Sequence, residues 1–136
     1  MTREDVATAI GMDAGKGHFR GGTSSDPVAR CSYTVGSSGI VELYDVGGMT
    51  ASNYLTEIAN GILPGGANPG WQDAPDLGGS AKTACGAFKD PLLNSCLAVA
   101  LHDSRAIVVV ISTGPSKNDA ERTAAAIVLA KKSIGQ

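Results

Sequence analysis

The sequence predicts an α+β domain, in which an antiparallel sheet built from two hairpins carries helices packed on one face. Two observations favour this class. Apolar segments with period-two patterns occur in pairs separated by turn residues, which is typical of hairpins. Segments with apolar residues three and four apart alternate with these pairs, which is typical of amphipathic helices. With 136 residues, the chain is expected to form one domain over 1–136 and to bury a core of its own.

The first predicted element is a helix over residues 3–10. Thr2 and Asp5 have the spacing of a capping box, with Asp in place of the usual Glu. A short apolar stripe follows, and Gly11 occupies the position where a glycine ends many helices. Residues 12–27 are rich in Gly, Ser and Asp, and we expect a loop there.

The first predicted hairpin joins strands at residues 28–35 and 40–46. Cys31 and Tyr33 share one face of the first strand, whereas Arg30 and Ser32 share the other. The Gly-Ser-Ser-Gly turn between the strands favours the reversal of the chain. We expect Cys31 to point into the core.

A second helix and a long loop are predicted after this hairpin. The helix is indicated by an apolar stripe with spacings of four, three and four residues: Ala51, Leu55, Ile58 and Ile62. Residues 64–79 contain three prolines and the only tryptophan, Trp71, and a loop of this length is often functional or mobile.

The C-terminal part contains the most apolar stretch. Residues 80–85 fit either a short strand or a helical turn. Two apolar runs at 96–101 and 106–111 flank a His-Asp-Ser-Arg turn, which predicts the second hairpin. Both faces of the 106–111 strand are apolar, so we expect either a central strand covered on both sides or a sheet with one face against a partner. Ser116 is predicted to cap a last helix with Asp119 at its third position, and Gly135 to end it.

Charge and hydropathy exclude some classes of function. The net charge is −2, with acidic and basic residues interspersed, so no basic patch indicates nucleic-acid binding. No apolar run is long enough to span a membrane. The first residues, Met-Thr-Arg-Glu-Asp, lack the apolar segment of a signal peptide.

Three cysteines leave two arrangements open. Cys85 and Cys96 flank the loop that precedes the second hairpin, and a disulfide between them would close that loop. Cys31 would then stay as a free thiol in the core. The alternative is three buried free thiols in a reducing compartment.

The chain offers weak signals for catalysis or for a cofactor. Residues 11–17 resemble a phosphate loop, but the spacing is one residue short and Gly17 stands where Ser or Thr is needed. Cys31 with His18 is the conceivable nucleophile and base, although a core thiol is favoured for Cys31. The chain has neither a Cys-x-x-Cys nor a His-x-x-x-His motif, so we predict no metal and no cofactor.

The long loop is the predicted binding site. Trp71 lies among prolines and glycines, where its side chain would cover a pocket between sheet and helix. The alternative is that Trp71 plugs the open end of the core. The remaining predicted site residues are two carboxylates of the loop and two tyrosines of the first half of the chain: Asp73, Asp76, Tyr44 and Tyr54.

Several motifs together give a family resemblance over nearly the whole chain. They are Ile-Gly at the end of the first helix, Cys-Ser-Tyr at 31–33, Asn-Tyr at 53–54 and Ala-Pro-Asp-Leu-Gly-Gly-Ser-Ala at 74–81. This order resembles the small extracytoplasmic, lipoprotein-type domains of unknown function that are common in actinobacteria. The resemblance implies an exported, often membrane-tethered, non-catalytic α+β domain. This chain departs from that pattern, because it lacks the lipobox cysteine and the export segment.

Three functions therefore stay open. The first is a non-catalytic extracytoplasmic domain that binds a small molecule or a protein in a groove near Trp71; a cytoplasmic location is the alternative. The second is a small enzyme that uses Cys31 or a histidine. The third is a structural subunit that assembles with further copies of itself through a sheet edge.

Overall fold

The computed structural model describes residues 1–21, 29–36, 39–47, 71–78, 81–86, 95–102, 105–113 and 117–135. A 3-10 turn at Pro75–Leu77 lies between the fourth and fifth of the described strands. The helices and strands, in chain order, are α1 (Arg3–Ile10), β1 (His18–Arg20), β2 (Ala29–Val35), β3 (Gly39–Gly47), β4 (Gln72–Asp73), β5 (Lys82–Gly86), β6 (Ser95–His102), β7 (Arg105–Ser112) and α2 (Asp119–Ser133).

The strands form one seven-stranded sheet in the order β1-β2-β3-β7-β6-β5-β4, and every neighbouring pair is antiparallel. The chain is therefore an α+β protein with an antiparallel sheet. Strands β2 with β3 and β6 with β7 correspond to the two predicted hairpins. The sheet also contains β1, β4 and β5, of which the sequence had indicated only β5, as one of two alternatives.

The register divides the side chains between two faces, because directly paired residues of an antiparallel sheet point to the same side. One row of paired residues crosses all seven strands: Phe19, Cys31, Leu43, Val109, Ala98, Thr83 and Gln72. Cys31, Val109 and Ala98 share one buried cluster with apolar residues of α1 and α2, such as Val6 and Leu129. We call this side of the sheet the helix face.

We call the other side of the sheet the second face. It is apolar and buried on the central strands and polar toward β1. Leu97 and Val99 of β6 and Val108 of β7 are fully buried there. Toward β1 the side chains on the same face are polar, beginning with Glu42 of β3 and ending with His18 of β1. The two-sided burial expected for the 106–111 strand is confirmed.

The start of α1 forms as predicted. Thr2 Oγ1 accepts a hydrogen bond from the Asp5 backbone N–H at 3.1 Å, and Asp5 Oδ2 accepts one from the Thr2 N–H at 2.8 Å. Gly11 follows the helix in the left-handed conformation, with φ 71°. Lys132 of α2 donates to Asp5 Oδ1 at 2.6 Å, so an ion pair links the two helices.

The predicted cap of α2 is wrong by two residues. The cap is Asn118 rather than Ser116, and Glu121 rather than Asp119 completes the capping box. The carboxylate of Asp119 instead pairs with Arg122. A glutamate is long enough to reach back to the N-cap N–H, which favours the Asn118–Glu121 pair.

The expected loop over residues 12–27 contains a strand, β1. Gly15 N–H donates to Thr34 O at 2.8 Å, so the chain already runs along β2 before β1 begins. A Cβ atom at Gly17 would lie 2.7 Å from the ring of Tyr33, and glycine therefore permits this close approach. Three residues between glycines carry too short a pattern for a strand to be indicated.

The predicted second helix, with its stripe Ala51, Leu55, Ile58 and Ile62, lies outside the described residues. Within the described part of the chain, no helix has the length and apolar character needed to cross a membrane.

Candidate functional site

A polar groove of about 550 Å³ lies on the second face at the β1 edge of the sheet. Three adjacent strands position its side chains in two rows. The first row pairs Arg20 with Arg30, and the second pairs His18 with Ser32 and Ser32 with Glu42. Phe19, which is 77% exposed, completes the rim of the groove.

The two arginines of the groove are direct neighbours. Arg20 on β1 and Arg30 on β2 are paired in the register, and both are exposed. Like charges directly opposite each other in a sheet are destabilising. Among the residues that the structure describes, no carboxylate lies within salt-bridge distance of either guanidinium. The described lining of the groove therefore carries two guanidinium groups against one carboxylate, that of Glu42.

Glu42 lines the groove on β3, and Tyr44 lies two residues further along the same face of that strand. Tyr44 Oη donates a hydrogen bond to Glu42 Oε2 at 3.1 Å. Burial and the charge of Glu42 raise the pKa of Tyr44 to about 12, and the charge of Arg30 opposes this rise. Tyr44 thus stays a neutral donor at ordinary pH, and it fixes the one carboxylate that lines the groove.

The register separates the nucleophile and base considered from the sequence. His18 pairs with Ser32, whereas Cys31 pairs with Phe19, so the register places the imidazole and the thiol on opposite faces of the sheet. The conceivable Cys31–His18 pair is not formed. In the row of His18, Ser32 and Glu42 the hydroxyl lies between imidazole and carboxylate. A catalytic triad needs the imidazole in the middle, where the carboxylate can orient it.

Three of the site residues predicted in the long loop belong to the described part of the chain. Trp71 is half-buried just before β4, and Asp73 of β4 forms an ion pair with Lys82 of β5. Asp76 is exposed on the 3-10 turn, which instead directs Leu77 into the core. These residues lie at the β4 edge of the sheet, opposite to the edge that carries the groove.

Of the two predicted tyrosines, Tyr44 belongs to the described residues. Tyr44 belongs to the second face of β3, and Val108, Val99 and Lys82 separate it in register from Asp73. Tyr54 lies outside the described residues. Tyr44 lies on β3 beside Arg30 and Val108 in the register and donates its hydrogen bond to Glu42.

The predicted disulfide between Cys85 and Cys96 is present. Cys85 Sγ lies 3.2 Å from Thr123 Oγ1, and Cys96 Sγ lies 3.4 Å from the carbonyl oxygen of Asp119. The three groups Cys85, Cys96 and Asp119 come within 4.8 Å of one another. Because metals bind thiolates, the disulfide prevents this trio from ligating a metal. Cys31 is the free, buried cysteine, as expected.

Sequence reasoning missed Arg20, Arg30 and Glu42 as site residues. One signal was present: Lys16, His18 and Arg20 alternate with Gly17 and Phe19, and this period of two is typical of one strand face. Pairing these residues with β2 required the register, which the sequence does not state.

No protein-family model, no curated protein and no solved structure matches this chain. The resemblance to extracytoplasmic lipoprotein-type domains therefore stays a prediction.

Proposed function

We propose that the protein is a non-catalytic binding domain and that its ligand occupies the groove over β1–β3. The observation that carries this proposal is the pairing of Arg20 with Arg30 and of Ser32 with Glu42 on one exposed face. These side chains offer several donors and one carboxylate acceptor in a concave site.

The disulfide supports an extracytoplasmic location for this domain. Disulfides persist in oxidising compartments and are rare in the cytosol. The Cys85–Cys96 bond thus agrees with the exported character that the family resemblance implies. The ratio of free to bonded cysteines in the protein isolated from its native source tests this location.

The enzyme and assembly alternatives have weaker support. The enzyme alternative loses its best candidate pair, because His18 and Cys31 point to opposite faces. The structural-subunit alternative stays a prediction, and light scattering at increasing protein concentration tests it.

The binding site is tested with two variants, one that blocks the groove and one that blocks the surface beside Trp71. Thermal unfolding is followed with a panel of small polar compounds that includes glucose, citrate, methyl phosphate and spermidine, since a ligand of the folded state raises the unfolding temperature. Ser32→Trp fills the groove, and Asp76→Trp is the matched control beside Trp71.

The proposal expects a stabilising compound whose effect is lost in Ser32→Trp and kept in Asp76→Trp. Stabilisation that is kept in Ser32→Trp and lost in Asp76→Trp would place the binding site at the long loop, as the sequence predicted. If no compound raises the unfolding temperature in a way that Ser32→Trp abolishes, the groove is not the binding site.

A further inference from the structure

We propose that the groove binds a phosphate group, held between the guanidinium groups of Arg20 and Arg30. This inference rests on the proposed function, because it names the ligand class of the same site. The ligand is a phosphate monoester, whose terminal oxygens accept the hydrogen bonds while its organic part extends along the groove.

The paired arginines are the first argument. Their register places two like charges directly opposite each other on an exposed face, an arrangement that costs stability when no anion is present. Among the described residues, Glu42 is the one carboxylate that lines the groove. It lies one row away and accepts the hydrogen bond of Tyr44. An anion between the guanidiniums would turn their repulsion into attraction.

Local charge is the second argument. The whole chain carries a net charge of −2, so positive charge in this groove does not reflect a basic protein. Five of the described cations have carboxylate partners: Lys82, Arg105, Lys117, Arg122 and Lys132. No described carboxylate pairs with Arg20 or Arg30. The same holds for Arg3, Lys16 and Lys131, and what sets the two arginines apart is that they lie directly opposite each other in the register.

Protection of the sheet edge does not explain the pair. Charged side chains on an edge strand discourage pairing with another chain, and this role accounts for His18 and Arg20 of β1. Arg30 lies one strand further in, on β2, where edge protection has no use, and there it hydrogen-bonds to Tyr44 of β3. A ligand that needs both guanidiniums explains why Arg20 and Arg30 lie opposite each other.

Phosphate suits the donors better than a carboxylate does. Each guanidinium is a planar fork that binds two oxygens, and arginine is favoured wherever phosphate is recognised. Two forks, with the Ser32 hydroxyl in the next row, offer more donors than a carboxylate has oxygens to accept them. The dianion also matches two positive charges.

Binding of methyl phosphate by the full chain, measured by calorimetry at low salt, tests this proposal. Arg20→Gln and Arg30→Gln should each weaken binding by about tenfold to a hundredfold, the loss expected for hydrogen bonds between charged groups. Glu42→Gln should strengthen binding about threefold, because it removes a like charge from the groove. Lys131→Gln on α2 is the control, with the same change in net charge, and should leave affinity unchanged.

A second arm identifies where the phosphate comes from. Vesicles of phosphatidylcholine with and without phosphatidic acid present the same group on a membrane surface. Binding of methyl phosphate that depends on both arginines supports a soluble ligand. Binding only to phosphatidic acid vesicles, with the same dependence on Arg20 and Arg30, supports the phosphate site and assigns it to a lipid headgroup.

Three results would overturn the inference. They are equal weakening by Lys131→Gln and Arg30→Gln, acetate binding as tightly as methyl phosphate, and binding of neither phosphate probe. The proposed function survives such a failure if another panel compound stabilises the chain in a manner lost in Ser32→Trp. The proposed function and the phosphate inference fail together if no compound stabilises the chain in a manner lost in Ser32→Trp.

Discussion

Cys85 on β5 lies directly opposite Cys96 on β6, with Cα atoms 4.1 Å apart, and their disulfide lies against the first turns of α2. Residues that face each other in a non-hydrogen-bonded antiparallel pair are close enough for such a bond without displacing the strands. The bond therefore fastens β5, and through it the edge strand β4, to the centre of the sheet.

Replacing both cysteines, in the variant Cys85→Ala/Cys96→Ala, should lower the free energy of unfolding by about 2–3 kcal/mol, because the unfolded chain regains the entropy of the closed loop. Denaturant unfolding measures this change. The natural chain under reducing conditions is the control and should lose a similar amount. A variant as stable as the oxidised natural chain would contradict the cross-link.

Arg122 should matter more to stability than Arg105. The Arg122 side chain is only 4% exposed, pairs with Asp119 and donates to the Lys117 carbonyl oxygen and to Thr113 Oγ1. Arg122→Met should cost about 2–3 kcal/mol, since it removes a buried guanidinium together with its hydrogen bonds to the Lys117 carbonyl oxygen and to Thr113. Arg105→Met removes an exposed pair with Asp45 and should cost less than about 1 kcal/mol. Equal costs in chemical denaturation would be the contrary result.

The ion pair between the helices should make stability depend on pH in acid. Hydrogen bonds from Lys132 and from the Thr2 N–H lower the pKa of Asp5 from its ordinary value of 3.8 to about 2. A lowered folded-state pKa means that the stabilisation is complete above pH 3.8 and is lost as the pH falls toward about 2.

Unfolding of the natural chain and of Asp5→Asn, followed across this range, checks the direction. The difference in stability should shrink as the pH falls from about 4 to about 2. Lys132→Gln, which removes the main partner of Asp5, should flatten the same dependence. A difference that grows in acid would contradict the assignment.

Gly17 should be needed for β1 to lie against β2. A Cβ atom there would lie 2.7 Å from the Tyr33 ring, which is buried and cannot easily move. Gly17→Ala should therefore destabilise the fold by about 1–3 kcal/mol, the usual cost of overpacking. Phe19→Ala on the same strand changes an exposed side chain and should stay within about 0.5 kcal/mol. Thermal unfolding of both variants distinguishes the two effects.

Periodic patterns made much of the fold predictable. The 106–111 strand, the first helix and the core position of Cys31 were predicted from the spacing of apolar residues, which differs between strands and helices. Strand β1 was not predicted, because the period-two alternation over residues 16–20 is short and contains a glycine, Gly17. The cap of α2 was displaced because Ser116 and Asn118 both have suitable side chains, and only the reach of Glu121 decides between them.

The site was less predictable than the fold. Arg20 and Arg30 are ten positions apart, and nothing local indicates that they face each other. Their juxtaposition depends on the register of β1 against β2. Trp71 attracted the prediction because it is a conspicuous residue in a long loop, whereas the groove is made of ordinary surface residues brought together by pairing.

Mapping methyl phosphate on the full chain by two-dimensional amide NMR tests the central claim most directly. The account predicts saturable shifts at Arg20, Arg30, Ser32 and Glu42, with the amides around Trp71 and Lys131 unchanged. Shifts centred on residues 71–78 or on α2, with Arg20 and Arg30 unaffected at saturation, would contradict it.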